Sequence, residues 1–391
     1  MRFSGFDDEW KSYKLGEIGL FKNGVNKSKE DFGSGYPFIN LEDIFDKDYL
    51  LNKEYSLVKV SKKELKEYNL NKGDVLFVRS SVKPSGVGLT TVINENLINT
   101  VFSGFIIRFR ENKQILDLNF KRYCFNITSF RNSLMSKSTT SANTNINQQS
   151  LSKLTINAPC IDEQKKIASF LEIIDKKIEL LNKKSEYYIK FKKYLMQQIF
   201  AQKLRFNFDD EWKQYKLKDV LTVKSSSISI NQLEENTGDY PLYGASGFLK
   251  NIDFCEMDVD YISIVKDGSG VGNLSFHEKN SSIVNTSQYL LPKKNFNINF
   301  LYYLLQTINL MKYVNGSSIP HIYFKDYCIE KINIPSLDEQ EKIGKLFVDV
   351  DITMENLNKN INATQEFKKG LLQQMFVVQL ILSLLQNKKH I

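Results

Sequence analysis

Ile156-Asn157-Ala158-Pro159, followed two residues on by Asp162-Glu163-Gln164-Lys165-Lys166-Ile167, is written again as Ile332-Asn333-Ile334-Pro335 and Asp338-Glu339-Gln340-Glu341-Lys342-Ile343. The offset is 176 residues, and it still holds at Leu195-Met196-Gln197-Gln198-Ile199-Phe200 against Leu371-Leu372-Gln373-Gln374-Met375-Phe376. Between these two boxes neither copy has gained or lost a residue, so that stretch is length-critical. A repeat on this scale is weighed before any local motif, because it says that one architecture is built twice.

The length-critical stretch is helical. Ile167, Leu171, Ile174, Ile178, Leu181, Ser185, Tyr188, Lys192, Leu195 and Ile199 follow 4-3-4-3 spacing, and Ile343, Phe347, Val350, Met354, Leu357, Ile361, Thr364, Lys368, Leu371 and Met375 repeat it. Apolar residues at most of these positions, sustained over heptads, predict a coiled-coil seam. Pro159 and Pro335 precede the helices, Asp162 and Asp338 stand at the expected N-caps, and acids follow in the first turns. Such a seam must be covered. Two helices matched in length and register are each other's natural cover, antiparallel within the chain; a dimerisation coil is the other way to cover them. At ~1.5 Å per residue each makes a rod of ~57 Å, equivalent to at most ~17 base pairs of duplex.

Upstream, Phe6-Asp7-Asp8-Glu9-Trp10 with Leu15 returns as Phe208-Asp209-Asp210-Glu211-Trp212 with Leu217, now at an offset of 202. The first copy is therefore 26 residues longer between its tryptophan and its D-E-Q box. A fixed spacer joined to a variable half accounts for both offsets. The fold class expected is α+β, with two similar domains of mixed strands and helices. Two long helices, forming an antiparallel intramolecular coiled coil, separate them in a pseudo-twofold repeat.

Each variable half carries a loop with small residues and one basic side chain after an apolar run. In the first half the loop includes Arg79, Ser80, Ser81, Lys83 and Ser85; in the second it includes Lys266, Ser269 and Asn273. Glycines in both loops allow close backbone approach, while hydroxyls and cations reach phosphate oxygens or base edges. An ordinary hairpin turn would look similar, and recurrence in both halves favours the functional reading. A second loop pair holds Thr139, Thr140, Asn143 and Asn145 in the first half, and Ser317, Ser318 and His321 in the second. Short side chains that both donate and accept suit base-edge contact. Tyr243 and Ser246 form a further candidate, without a clear twin in the first half.

Charge and composition bound the rest. The net charge is +8, and residues 1–160 hold 23 Lys/Arg against 17 Asp/Glu, whereas residues 204–336 hold 13 against 15. The excess favours an acidic partner for the first half but does not by itself find one for the second. Cys124, Cys160, Cys255 and Cys328 stand apart, without a C-x-x-C pair or a histidine cluster, so four reduced thiols and no metal site are expected. No phosphate-binding G-x-x-x-x-G-K-[ST] loop, dinucleotide fingerprint, amino-methyltransferase [DN]-P-P-[YF] box or nucleophile elbow is present. No catalytic residue is assigned. No secretory signal and no stretch of 18 apolar residues is found, so a cytoplasmic chain without a membrane partner is expected.

Together the paired W-x-x-x-x-L openings, the P-x-x-D-E-Q-x-K-I boxes, the Q-Q-I/M-F helix ends and the two variable halves resemble the specificity subunits of type I restriction–modification systems. The resemblance spans nearly the whole chain. It implies a non-catalytic chain with a target-recognition domain at residues 1–160, a spacer helix at 161–203, a second recognition domain at 204–336, and a second spacer helix with an apolar tail at 337–391. Each recognition domain would read one half of a bipartite double-stranded DNA site. The helices would set the spacing and dock two methylation subunits, and two restriction (motor-nuclease) subunits would join for cleavage. S-adenosylmethionine, ATP and Mg belong to those partners, and this chain would carry no cofactor. The tail after Phe376 has no twin after Phe200: it is either an added helical segment or an altered end that weakens assembly. A coiled-coil adaptor between two protein partners, and an enzyme fused to its DNA reader, are the competing readings.

Overall fold

The computed structural model describes residues 2–45, 47–140, 143–233, 235–316 and 318–387. The chain is α+β and divides into two compact units, residues 1–180 with 361–391, and residues 181–360. Two long helices, Ile161–Phe200 and Leu337–Asn387, thread this division, each unit taking the first part of one and the last part of the other.

Both units are built on one plan. The strand after the tryptophan pairs antiparallel with the strand before the long helix: Lys11–Lys14 with Thr155–Ala158, and Lys213–Lys216 with Lys331–Ile334. This pairing explains why the W-x-x-x-x-L and I-N-x-P segments repeat as a set. Behind it lies the main sheet, in the first unit Gly19–Asn23, Ile106–Glu111, Val75–Val78, Thr90–Ile93 and Tyr49–Leu50 in spatial order. In the second unit the order is Leu221–Ser225, Ser287–Pro292, Tyr261–Val265 and Leu274–His277, one strand fewer. Val75–Val78 and Tyr261–Val265 are buried along their whole length, as continuous apolar runs require. A smaller three-stranded sheet in each unit combines one antiparallel and one parallel pairing.

The caps of the long helices stand two residues before Asp162 and Asp338, where they were expected. The amide of Gln164 donates to Cys160 O and that of Gln340 to Ser336 O, both at 3.0 Å, so Cys160 and Ser336 occupy the cap positions. The aspartates lie in the first turn, where their charge meets the positive end of the helix dipole. The D-E-Q box acts through its other two residues. Glu163 is buried and accepts two hydrogen bonds of 2.8 Å from Arg2, which also donates to Asp8 O. Glu339 is met in the same way by Arg205, at 2.9 and 2.8 Å, and Arg205 donates to Asp210 O. Gln164 Nε2 donates to Pro159 O and Ile115 O while its Oε1 accepts from Asp117 N at 2.8 Å. Gln340 bonds Pro335 O and the amide of Asn297.

The seam positions lie buried or half-buried in both helices. In the first unit Ile167 and Leu171 join Met375 and Phe376 in one core; in the second Leu195 and Ile199 join Ile343 and Phe347. Such pairings are antiparallel. The two lysines at seam positions are used in register locks: Lys368 lies 2.5 Å from Asp175, and Lys192 lies 2.6 Å from Asp351. A tyrosine from the neighbouring domain completes each lock, Tyr123 donating to Asp175 at 2.8 Å and Tyr303 to Asp351 at 2.6 Å. Burial, with the adjoining carboxylate, pushes both phenols well above the usual range and keeps them neutral donors. The second helix continues through Asn387, so residues 377–387 prolong it; what their side chains touch lies outside the described residues.

Removing the glutamine of either box strands buried backbone groups. Gln164→Ala or Gln340→Ala is expected to destabilise its own unit by about 2 kcal/mol or more, with the larger loss at Gln164, which makes three bonds to Gln340's two. Denaturant unfolding followed by amide hydrogen exchange at Asp117 and Asn297 measures this. Unchanged protection at both amides contradicts the assignment.

Candidate nucleic-acid interface

In the first unit the buried strand Val75–Val78 runs out into Arg79, whose amide donates to Phe105 O at 2.8 Å and whose carbonyl accepts from Ile146 N at 3.0 Å. The second bond draws the two predicted loops together. Thr139–Thr140, Thr144–Asn145 and Ser80–Ser81 form a small sheet, with Thr144 opposite Ser81 and Asn145 opposite Ser80. Lys83, Ser85, Thr139, Thr140 and Asn143 are exposed along it, while Ser80, Ser81 and Asn145 are half-buried. Arg79 is itself half-buried and donates through Nη1 to Gly104 O at 3.1 Å, which holds its guanidinium against the loop. An open cleft of about 590 Å³ lies alongside, with Ser80, Ser81, Lys83, Ser85 and Asn143 among its lining residues.

The second unit repeats the frame bond for bond. Lys266 N donates to Thr286 O at 2.9 Å, and Lys266 O accepts from Ile322 N at 2.8 Å. Gly88 and Gly272 close the two loops, each amide donating at 2.8 Å to the last residue of the preceding strand, Val78 or Val265. Both have positive φ, +66° and +83°, which explains glycine at that place in each copy. Gly268 N donates to Pro320 O, and Asn315 and His321 exchange backbone bonds, so the second loop pair is also joined. Ser269, Asn273 and Ser318 are exposed; Ser317 lies outside the described residues. Lys266 Nζ is 3.6 Å from the Asp267 carboxylate, and the His321 ring lies 5.1 Å from that of Tyr323.

Tyr243 and Ser246 belong to a different part of the second unit. Ser246 is exposed at the turn between Tyr240–Gly244 and Gly247–Ile252. The Tyr243 ring packs 4.4 Å from the buried His277, which also stacks on Tyr261 at 5.0 Å and lies 2.8 Å from Ser263 Oγ. Sequence reading passed over Val82 and Phe105, apolar but 80% and 58% exposed beside the first loop, and Ile319 and Tyr323 beside the second. Their one signal was an apolar residue at the tip of a polar loop. Among the described residues no group of three or more His, Cys, Asp or Glu is placed to hold a metal ion, and no helix is long and apolar enough to cross a membrane.

Residues 7–187 and 209–365 match the family described as type I restriction modification DNA specificity domain. The chain belongs to this family. Specificity subunits are the DNA-reading, non-catalytic members of type I complexes, which sets aside both the adaptor and the fused-enzyme readings. The chain is 28% identical over 182 residues to the type I restriction enzyme MjaVIII specificity subunit of Methanocaldococcus jannaschii, spanning 43% of this chain and 42% of that one. It is 23% identical to the putative MjaX specificity subunit of the same organism, over 93% and 92% of the two chains. The crystal structure of an S subunit from M. genitalium has the same fold, with a TM-score of 0.63 and 18% identity over 96% of this chain and 97% of that one.

Burial lowers the pKa of His277 from 6.5 to about 4, since charging the ring would cost its desolvation. The folded chain therefore binds this proton later than the unfolded chain as pH falls. The stability it contributes is whole above pH 6.5 and is lost as pH drops toward about 4, a span worth about 3 kcal/mol. Denaturant unfolding at pH 7 and pH 4.5 should show His277→Gln losing less stability on acidification than the parent chain. Equal losses would remove the assignment.

Proposed function

We propose that residues 1–160 read one half of a bipartite asymmetric DNA site and residues 204–336 the other. The observation that supports this is the repeated frame: in each unit the same backbone bonds seat a loop headed by Arg79 or Lys266 beside a second loop of short polar residues. Small side chains let the backbone come close to a groove, and exposed hydroxyls, amides and Lys83 can meet base edges and phosphates. Two frames on one chain give two short readings separated by an unread gap. In this proposal the paired helices set the length of that gap, within the bound of ~17 base pairs that follows from ~1.5 Å per residue and ~3.4 Å per base pair.

The helices also serve, in this proposal, as the dock for two methylation subunits, which carry S-adenosylmethionine and modify adenine N6. Two ATP- and Mg-dependent restriction subunits complete the cleaving complex. The chain itself supplies the address. In this proposal it carries no cofactor and takes no chemical step itself.

The test is a map of N6-methyladenine in the source genome with and without this gene. One motif with two specified halves and a fixed gap should disappear with it. Lys83→Ala combined with Thr140→Ala should weaken binding of the assembled complex to its duplex roughly tenfold, the scale of one lost base contact, and relax the first half alone. Ser269→Ala combined with Asn273→Ala should relax the second half alone. If both variants keep the parent motif and affinity, the loop frame does not read DNA.

A further inference from the structure

Alignment of the two frames by their backbone bonds, rather than by sequence, exposes one systematic difference. The carbonyl that receives the amide of Arg79 belongs to Phe105, and the carbonyl that receives the amide of Lys266 belongs to Thr286. The residue whose carbonyl is bonded by the last strand amide is Leu89 in the first unit and Asn273 in the second. The exposed tip of the first loop is Val82, and that of the shorter second loop is Ser269. At all three places an apolar side chain in the first unit stands where the second has a hydroxyl or an amide.

The three apolar residues are on one cleft. Val82, Leu89 and Phe105 line it together with Leu41 and Phe45, and Ser80, Ser81 and Lys83 line the same cleft. Phe105 and Val82 leave most of their surface to water on the same cleft, and apolar surface gathered in a groove with a polar rim marks a binding site. Gly104, just before Phe105, has its Cα so close to Asn26 that a Cβ would lie 1.8 Å from the amide oxygen. The tip that carries Phe105 is thus held from behind.

We propose, resting on the DNA-reading function above, that Val82 and Phe105 determine specificity in the first recognition domain by packing on the 5-methyl group of a thymine in the first half-site. That methyl is the apolar feature a base pair shows in the major groove, and apolar side chains beside hydrogen-bonding ones read it. The cation at Lys83 on the same cleft suits the adjoining phosphate. The second domain carries Thr286, Asn273 and Ser269 at the matching places and reads by hydrogen bonds there, its exposed Ile319 and Tyr323 standing on the other loop of the pair.

Replacing thymine by deoxyuracil removes the methyl and nothing else. Once the methylation map has given the motif, the complete complex is titrated with duplexes carrying uracil at each thymine of either half in turn. One uracil in the first half should weaken binding roughly three- to tenfold, the effect of exposing one buried methyl. No uracil at a base facing Thr286, Asn273 or Ser269 should do so. The double variant Val82→Ser with Phe105→Thr, both at exposed positions, should bind thymine and uracil duplexes equally while keeping its reading of the second half. The proposal is overturned if the first half contains no thymine, or if the parent complex is indifferent to uracil at every thymine there. It is overturned equally if Phe105→Thr weakens binding without altering the thymine-to-uracil ratio, as a wedge between base steps would. A complex that binds no duplex specifically would instead remove the DNA-reading function itself, which the unmodified duplex reports separately.

Discussion

Everything in this chain depends on how each hydrophobic core is closed. The first unit is completed by Ile167 and Leu171 from the start of one long helix and by Met375 and Phe376 from the far end of the other. Phe376 stacks on Phe120 and meets Trp10 edge-on. In the second unit Phe200 takes the same part, stacked on Phe347 and tilted against Phe300, with Trp212 edge-on to Phe300. Neither core can be assembled from a contiguous stretch of sequence. A fully buried aromatic or leucine contributes roughly 1.5–3 kcal/mol, so an end that missed its place would forfeit much of a unit's net stability.

This constraint accounts for the two offsets in the repeat. Between the D-E-Q box and the Q-Q box, one inserted residue would rotate the helix end by about 100° and carry Phe200 or Phe376 off its core. It would also separate Lys192 from Asp351, or Lys368 from Asp175, and each is a partly buried pair with a tyrosine as third member. The recognition domains carry no such condition. Extra residues can enter as added strands and loops, and the first main sheet has one strand more than the second, as long as the two-stranded joint beneath the tryptophan stays in register.

The rod, its seam and its antiparallel partner were legible because periodicity over 38 or so positions averages out local exceptions. The lysines at positions 192 and 368 interrupt the apolar seam and are its register locks. The arginines were not legible as clamps: Arg2 and Arg205 lie outside the repeated boxes, and only the fold brings them to Glu163 and Glu339. The sequence showed two polar loops in each half, and it was silent on which of their side chains end up outermost. Arg79, the residue most obviously suited to a phosphate, is turned onto Gly104, while Phe105, which chemistry alone assigns to a core, stands in water. Loop side chains are set by a few backbone bonds between distant segments, and no period in the sequence records those.

The same bonds explain how one frame can carry two different sets of side chains. The links at Arg79 and Lys266, at Gly88 and Gly272, and at Ile146 and Ile322 are made by backbone atoms. A backbone bond is indifferent to the side chain it carries, glycine's positive φ apart. The residues that make these bonds can therefore differ in side chain, Phe105 in one frame and Thr286 in the other, or Leu89 and Asn273, while the bonds stay the same. In the reading proposed above, an address could change by substitution at exposed tips such as Val82 and Ser269, while the helices and clamps that close the cores remain as they were.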